Sequence, residues 1–354
     1  MRANSTESRN IHDLLKKTII SGDTMSAWLM GDGEKMERQL RPICNYLQAN
    51  APKKLYRMRR FDRNSIDALK NDHLYFSRAD WFNDPYDCLL YSDPKEIKKR
   101  LEVMFSNDSI RTGLDEVGLQ FPIEGIAQSK EDYVSKFSVI RDEVIDNMCK
   151  KHTQAVSTLQ TSTFIVCFGE SVTSPIMWSH YGDNHKGFAI EYEFESTSFP
   201  PMPYRSTNGK DFYYGWHSLL PVFYSKYRAD ATELAKWFCM CEAEGRVRPR
   251  EMRYHEGFFM PDMLLRTKLS LEKSVIWSYE KEWRMIITRE WPANVESSNP
   301  FRIKKAAGIY LGERMTETDK DELRRIAKEK RIPVYEMYID YASKEYVMDF
   351  RKVQ

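Results

Sequence analysis

At 354 residues the chain can bury a hydrophobic core without disulfide or metal staples, as one large domain or two smaller ones. Its 54 basic and 52 acidic side chains nearly cancel, which excludes the whole-molecule charge footprint of a dedicated nucleic-acid or membrane-surface binder and leaves room only for a local basic patch. Six scattered cysteines form no C-x-x-C, the chain start has no secretory pattern, and no apolar run approaches the ~18 residues that span a bilayer, so a soluble, reducing, cytoplasmic setting with no membrane partner is expected.

Residues 1–52 read as a helical N-terminal extension, with Leu40, Ile43 and Leu47 at helical spacing before Ala51 and Pro52 break the pattern. Residues 53–354 read as a single α+β domain with a mixed or antiparallel sheet core and a helical insertion at about 93–160. The first strand, LYRMRRF, puts Leu55, Arg57 and Arg59 on one face and Tyr56, Met58 and Arg60 on the other. Asn64 is expected to cap a short helix, and HLYFS (73–77) to form the second strand. In the following loop Asn83-Asp84-Pro85 forces a turn, and Asp93-Pro94 starts a helix. The clearest helix is 132–156, whose Val134, Phe137, Ile140, Val144, Ile145 and Met148 make an apolar stripe. Strand character returns at 163–168 and near 220–224, and helices are expected at 231–247 and 258–271. A strand at 282–288 precedes a closing strand–helix–strand unit at 307–311, 316–330 and 332–339, with Thr316 and Asp319 in capping-box positions.

Four motifs carry candidate chemistry. MWSHYGDNHKGFAIEY (177–192) gathers Trp178, His180, Tyr181 and His185 just before the alternating Phe188, Ile190 and Tyr192. The two histidines are too far apart for a one-turn zinc pair and no acidic third ligand has diagnostic spacing, so no metal is expected. His180, Tyr181 and His185 can offer hydrogen bonds and a stacking face to a ligand; alternatively the aromatics pack and the histidines cap a turn. In WSYEKEWR (277–284), Glu280 and Glu282 sit two apart at the mouth of a strand, where an extended backbone places both on one face. Like charges that close raise one carboxylate pKa, which suits proton transfer; alternatively Glu282 pairs with a buried arginine, Arg284 or Arg59. In FNDPYDC (82–88), Asn83 and Asp84 can make a rigid turn by bonding their own backbone, and Tyr75 and Ser77 on the preceding strand are the better ligand contacts. Arg59 is a candidate phosphate clamp, and the 13 % aromatic content suits a planar ligand such as a nucleotide.

Together LYRMRRF, HLYFSRADWFNDPYDC, CFGESVTSPIMWSHYGDNHKGFAIEY and KSVIWSYEKEWRMI resemble the bacterial domain-of-unknown-function family 2971, from about Leu55 onward. Gly169 stands where that pattern usually has serine. The family resembles bacterial and prophage-borne accessory proteins, some similar to abortive-infection genes. The order of a basic first strand, a LYFS strand and a late Glu-x-Glu strand is also distantly similar to ADP-ribosyltransferases. That likeness implies NAD as substrate: Arg59 on its phosphates or ribose, Tyr75 or Ser77 beside nicotinamide, Glu282 on the ribose cation and 2′-hydroxyl, and Glu280 on the acceptor. It implies an effector of a bacterial toxin or defence system with a nucleotide ligand and a protein or RNA acceptor. Two alternatives stand beside it: a metal-independent ribonuclease using His180, His185, Tyr181, Arg59 and Glu282, and a non-catalytic nucleotide-sensing or partner-binding module that works with an operon partner.

Overall fold

The computed structural model describes residues 51–116, 118–194, 202–205, 212–215, 219–247, 269–289 and 301–354, besides Arg38 and Arg41. The expected N-terminal extension and nearly all of the expected helix at 258–271 lie outside these residues.

Strand β1 (Lys54–Arg59) leads into helix α1 (Arg63–Lys70), capped by Asp62, whose carboxylate accepts the Ser65 N–H at 2.7 Å. Asp62 takes the place expected of Asn64, because a carboxylate at the N-cap satisfies an orphan N–H and also complements the helix dipole. The strand expected over HLYFS is two, β2 (His73–Tyr75) and β3 (Ser77–Arg78), divided where Phe76 turns fully into the core. Asp93 caps α2 (Pro94–Met104) as expected, and α3 (Asn107–Glu116) and α4 (Lys130–Ser157) follow. The α4 stripe is interrupted: Val134, Ile145 and Met148 are buried, whereas Ile140 is 49 % exposed.

After β4 (Thr163–Gly169), the polar segment begins as a helix, α5 (Pro175–Tyr181), capped by Ser174 through the Met177 N–H. Next come β5 (Phe188–Glu193), β6 (Met202–Arg205), β7 (Phe212–Gly215), β8 (Leu220–Pro221), β9 (Phe223–Ser225) and α6 (Thr232–Val247). The last part holds β10 (Glu272–Ser274), β11 (Glu282–Arg289), β12 (Phe301–Ile303) and β13 (Gly308–Leu311). Helix α7 (Glu317–Lys330), whose Thr316 cap accepts the Asp319 N–H, then precedes β14 (Val334–Ile339) and β15 (Met348–Lys352).

Among the described residues these strands build an 11-stranded sheet in the order β15-β14-β13-β5-β1-β4-β11-β7-β6, with β3 beside β4 and β8 beside β11. Its pairs are antiparallel except β13 with β14, which α7 connects. The fold is α+β, with a mixed, mostly antiparallel sheet. Leu55, Phe188, Ile190 and Ile309 of the sheet meet Leu323 and Ile326 of α7 in the main core, each burial contributing roughly 1.5–3 kcal/mol. Helices α2, α4 and α6 enclose a second core around Ile97, Leu101, Ile145, Met148, Leu234 and Cys239. No described helix is long and apolar enough to cross a membrane.

One irregularity in the sheet positions the site. β1 pairs with β5 along its whole length, from Lys54↔Glu193 to Arg59↔Phe188, but meets β4 only at Tyr56↔Gly169. Farther along the same edge of β4, β3 pairs at Ser77↔Ile165 and Arg78↔Phe164. The sheet therefore forks between β1 and β3.

Candidate active site

A cleft of about 440 Å³ opens at this fork. Because β1 has left its partner, residues from both of its faces reach the space: Tyr56 and Met58 as well as Arg57 and Arg59. Ser77, Asn83, His180, Tyr181, Glu280 and Glu282 line it too. Gly169 is in register with Tyr56 on one side and Glu282 on the other, so the acidic end of β11 lies two strand spacings, about 10 Å, from β1.

The sequence placed Glu280 and Glu282 on one face through an extended backbone, but they converge differently. Glu280 ends a 3-10 turn (Val275–Glu280), Lys281 adopts a left-handed φ of 45°, and Glu282 then opens β11. The residue that joins them is Lys273 on β10, whose ammonium donates to Glu280 Oε2 at 2.6 Å and to Glu282 Oε2 at 2.9 Å. Glu282 is further held by Arg284, from Nε at 2.7 Å, and Arg284 in turn makes a two-point contact with Asp87 at 2.8 and 2.6 Å. All five side chains are buried. Asp87, Glu280 and Glu282 thus share the two cations Lys273 and Arg284, and the cluster is neutral when Glu280 carries a proton.

The two glutamates differ accordingly. Burial, then the charge of Glu282, raises the Glu280 pKa to about 7, although Lys273 and Tyr181 oppose the shift. Burial alone would raise Glu282 as well, but Arg284 and Lys273 hold it well below the carboxylate range. Glu280 can therefore exchange a proton near neutral pH, whereas Glu282 is a permanent anion matched to permanent cations. The Cys167 thiol in the cleft is driven up by burial and by Glu282, so it remains a thiol.

Tyr181 donates its phenol to Glu280 Oε1 at 2.5 Å and accepts from Asn83 Nδ2 at 3.4 Å. Asn83 is thus both part of a rigid turn and part of the cleft; Asp84 makes the turn itself, accepting the Tyr86 N–H at 2.9 Å. His180 is exposed and joined through Nδ1 to the Tyr279 hydroxyl at 2.8 Å, and Nε2 has no protein partner among the described residues. Arg57 and Arg59 are half-buried and form no salt bridge with a carboxylate among the described residues. Burial, then mutual repulsion with Arg59, lowers Arg57 to about 10, and burial lowers Arg59.

Of the residues singled out in the sequence, the structure brings Arg59, Ser77, His180, Tyr181, Glu280 and Glu282 to one cleft. Four others lie outside its lining. Tyr75 points its hydroxyl to His73 Nδ1. Trp178 is wholly buried, its indole N–H donating to Val172 O at 2.6 Å. Arg284 is wholly buried behind Glu282. His185 closes the turn after α5: it ends a left-handed run, with φ of 50°, 54° and 70° at Asp183, Asn184 and His185, and its Nε2 meets Ser179 Oγ at 3.1 Å. The Ser179 hydroxyl also contacts Pro175 O at 3.0 Å, so this serine–histidine pair serves the helix end. Sequence reasoning missed Lys273, Asp87 and Arg57; only Arg57 carried a signal, the strand alternation it shares with Arg59.

Fold and site define an α+β protein with a charged cleft of about 440 Å³ at a fork in its sheet. Residues 177–285 match the model of a family described as protein of unknown function (DUF2971), a span that runs from α5 to β11 and carries His180, Tyr181, Lys273, Glu280, Glu282 and Arg284. Comparisons with the curated proteins and with the solved structures gave no match. Among the described residues no group of three or more His, Cys, Asp or Glu is arranged to hold a metal ion.

Proposed function

We propose that the cleft binds a phosphorylated nucleotide, NAD in the first instance, and breaks its N-glycosidic bond, passing ADP-ribose to an acceptor or to water. The observation that carries this reading is the polarity of the cleft: Arg57 and Arg59 on β1, neither in a salt bridge among the described residues although the charge of Asp62 reaches Arg59, and across β4 a carboxyl, Glu280, poised near neutrality. Partly dehydrated arginines suit a diphosphate, and Trp81 and Phe82 in the lining offer planar faces to a base.

In the reaction the C1′–N bond breaks, its electron pair leaves with the nicotinamide nitrogen, and positive charge develops on the ribose. The cluster around Lys273 carries one net negative charge once Glu280 is ionised, which favours that transition state. The acceptor or water then adds to C1′, and its proton passes to the Glu280 carboxylate. Glu282, assigned to the ribose by the resemblance, is on this reading a positioning residue that fixes Lys273 and Arg284. Such chemistry suits an effector of a bacterial toxin or defence system, a placement resting on the resemblance alone.

The test is chromatography of nicotinamide and ADP-ribose after NAD is incubated with purified protein, with and without cell extract to supply acceptors. Release by wild type that E280Q loses supports the reading, and no release by folded wild type sinks it. A melting shift with NAD but no turnover would instead make the protein a sensing module.

A second reading has its own observation. The free Nε2 of His180 shares the cleft with Glu280 and the arginines, an acid–base pair able to take the proton of a ribose 2′-hydroxyl as it attacks the adjacent phosphorus of RNA and to protonate the 5′-oxygen as the P–O5′ bond breaks. Cleavage of RNA in a chelator, leaving cyclic phosphate ends and lost in His180→Ala, would favour it.

A further inference from the structure

Two more hollows neighbour the cleft. One, of about 210 Å³, shares Lys273 with the cleft; the next, of about 790 Å³ between α2 and α4, shares Leu90 and Arg228 with the first. The middle hollow thus has lining residues in common with both of the others. Their exposed charges are mostly positive: Arg60 at the cleft, Lys226 and Arg228 in the middle, and Lys95, Lys98 and Lys150 at the far end. Lys98 is paired with Asp146 at 2.7 Å, whereas Lys95, Lys150 and Lys226 form no salt bridge among the described residues. Four of the lining acids are withdrawn, Asp84 buried, Glu280 and Glu282 in the inner cluster and Glu272 half-buried, while Asp62 at the cleft and Asp146, paired with Lys98, are exposed.

Aromatic rings line the same hollows as these cations. Trp81 is 59 % exposed at the cleft, Tyr86 and Tyr227 are 62 % and 83 % exposed in the middle hollow, and Tyr91 is 39 % exposed in the last. Two of the rings already carry a guanidinium on their faces, Arg78 over Trp81 at 4.8 Å and Arg228 over Tyr91 at 5.5 Å. Exposed rings offer stacking faces to unpaired bases, and cations lining the same hollows suit a phosphate backbone.

We propose that the three hollows form one track that binds single-stranded nucleic acid and leads it to the cleft. Rings for bases and cations for phosphates are the two elements such strands require, and an acidic peptide would use only the second. A duplex keeps its bases stacked on one another and gains only the charge contacts. The binding stands apart from the reaction assigned to the cleft; the role of the strand as ADP-ribose acceptor rests on that reading.

The experiment is fluorescence anisotropy with labelled oligouridine and oligothymidine of roughly 15 nucleotides and a duplex of equal length, titrated across salt from about 50 to about 200 mM. Both single strands, or one of them, are expected to bind better than the duplex; a preference between them identifies RNA or DNA as the natural ligand. The variant K95E/K98E/K150E should weaken binding about tenfold or more and flatten the slope of log affinity against log salt by about 2. Y86A/Y227A should weaken it at least about fivefold with the slope unchanged. Both variants should melt like wild type and retain its nicotinamide release in the absence of nucleic acid. No binding of either strand at low salt, or binding that neither variant weakens, overturns the track. NAD turnover without strand binding would remove the track and leave the glycosidic reading, and strand binding without turnover would do the reverse.

Discussion

The phenol of Tyr181 donates a 2.5 Å hydrogen bond to Glu280 Oε1 and so ties the end of α5 to the mouth of β11. Burial, then the charge of Glu280, keeps the Tyr181 proton in place, so it always acts as donor. That bond stabilises the ionised form of Glu280 and pulls its pKa down from where burial and Glu282 would put it. Tyr181→Phe should raise the Glu280 pKa further, by up to about one unit, and move the acidic limb of activity to higher pH. Carbon-13 titration of the Glu280 carboxyl in wild type and variant measures the shift directly.

The same pKa has a consequence for stability. The folded protein holds the Glu280 proton up to about 7, against 4.5 for an exposed glutamate. The stability this gives is therefore full below the unfolded pKa and is lost as pH rises through the folded one. Glutamine does not titrate, so the unfolding free energy of E280Q minus that of wild type, read by chemical denaturation, should rise between about pH 5 and about pH 8 by an amount on the order of 1–3 kcal/mol. Glu282 has the opposite sign: its contribution is present above 4.5 and is lost on acidification, so the penalty of E282Q should shrink as pH falls.

Arg284→Met should be among the most damaging substitutions in the chain. It would leave Asp87 and Glu282 buried with only Lys273 between them, a loss of roughly 3–5 kcal/mol in chemical denaturation. Lys273→Met should cost less in stability, because Arg284 still pairs both acids, yet it releases Glu280 and should raise that carboxyl's pKa.

Gly187 holds β1 and the turn after α5 together. A Cβ there would lie 2.2 Å from Arg59 O and 3.0 Å from Gly182 O, both of them backbone atoms. Gly187→Ala should therefore displace the end of β1, costing about 1–3 kcal/mol and weakening nucleotide binding through Arg59. Calorimetric melting together with NAD titration would show both losses in one variant; unchanged melting would mean that the backbone yields without strain.

What the sequence revealed was local. The α7 helix with its Thr316 cap, the Asp93-Pro94 helix start and the strands β1, β4 and β5 follow from periodicity and capping within a few residues, and the structure has them. Glu280 and Glu282 were conspicuous because they are neighbours in sequence. Lys273 was not, since nothing around a lysine in a short strand announces that it will be buried between two acids. The Arg284 and Asp87 pair spans 197 positions, a relationship that only the fold can create. Tyr75 and Trp178 lie outside the cleft for a related reason: alternation and aromatic density say that a ring is used, and only the fold decides that Tyr75 turns to His73 at the surface and Trp178 into the core.

The most direct measurement is the rate of nicotinamide release from NAD between about pH 5 and about pH 9 for wild type, E280Q and E282Q. If Glu280 is the proton acceptor, the wild-type rate falls as pH drops through about 7, and folded E280Q is slower by at least about a hundredfold above that pH, with the gap closing as pH falls. E282Q should lose stability and activity together. An E280Q protein as active as wild type, or a folded wild type that releases no nicotinamide at any pH, would contradict the account.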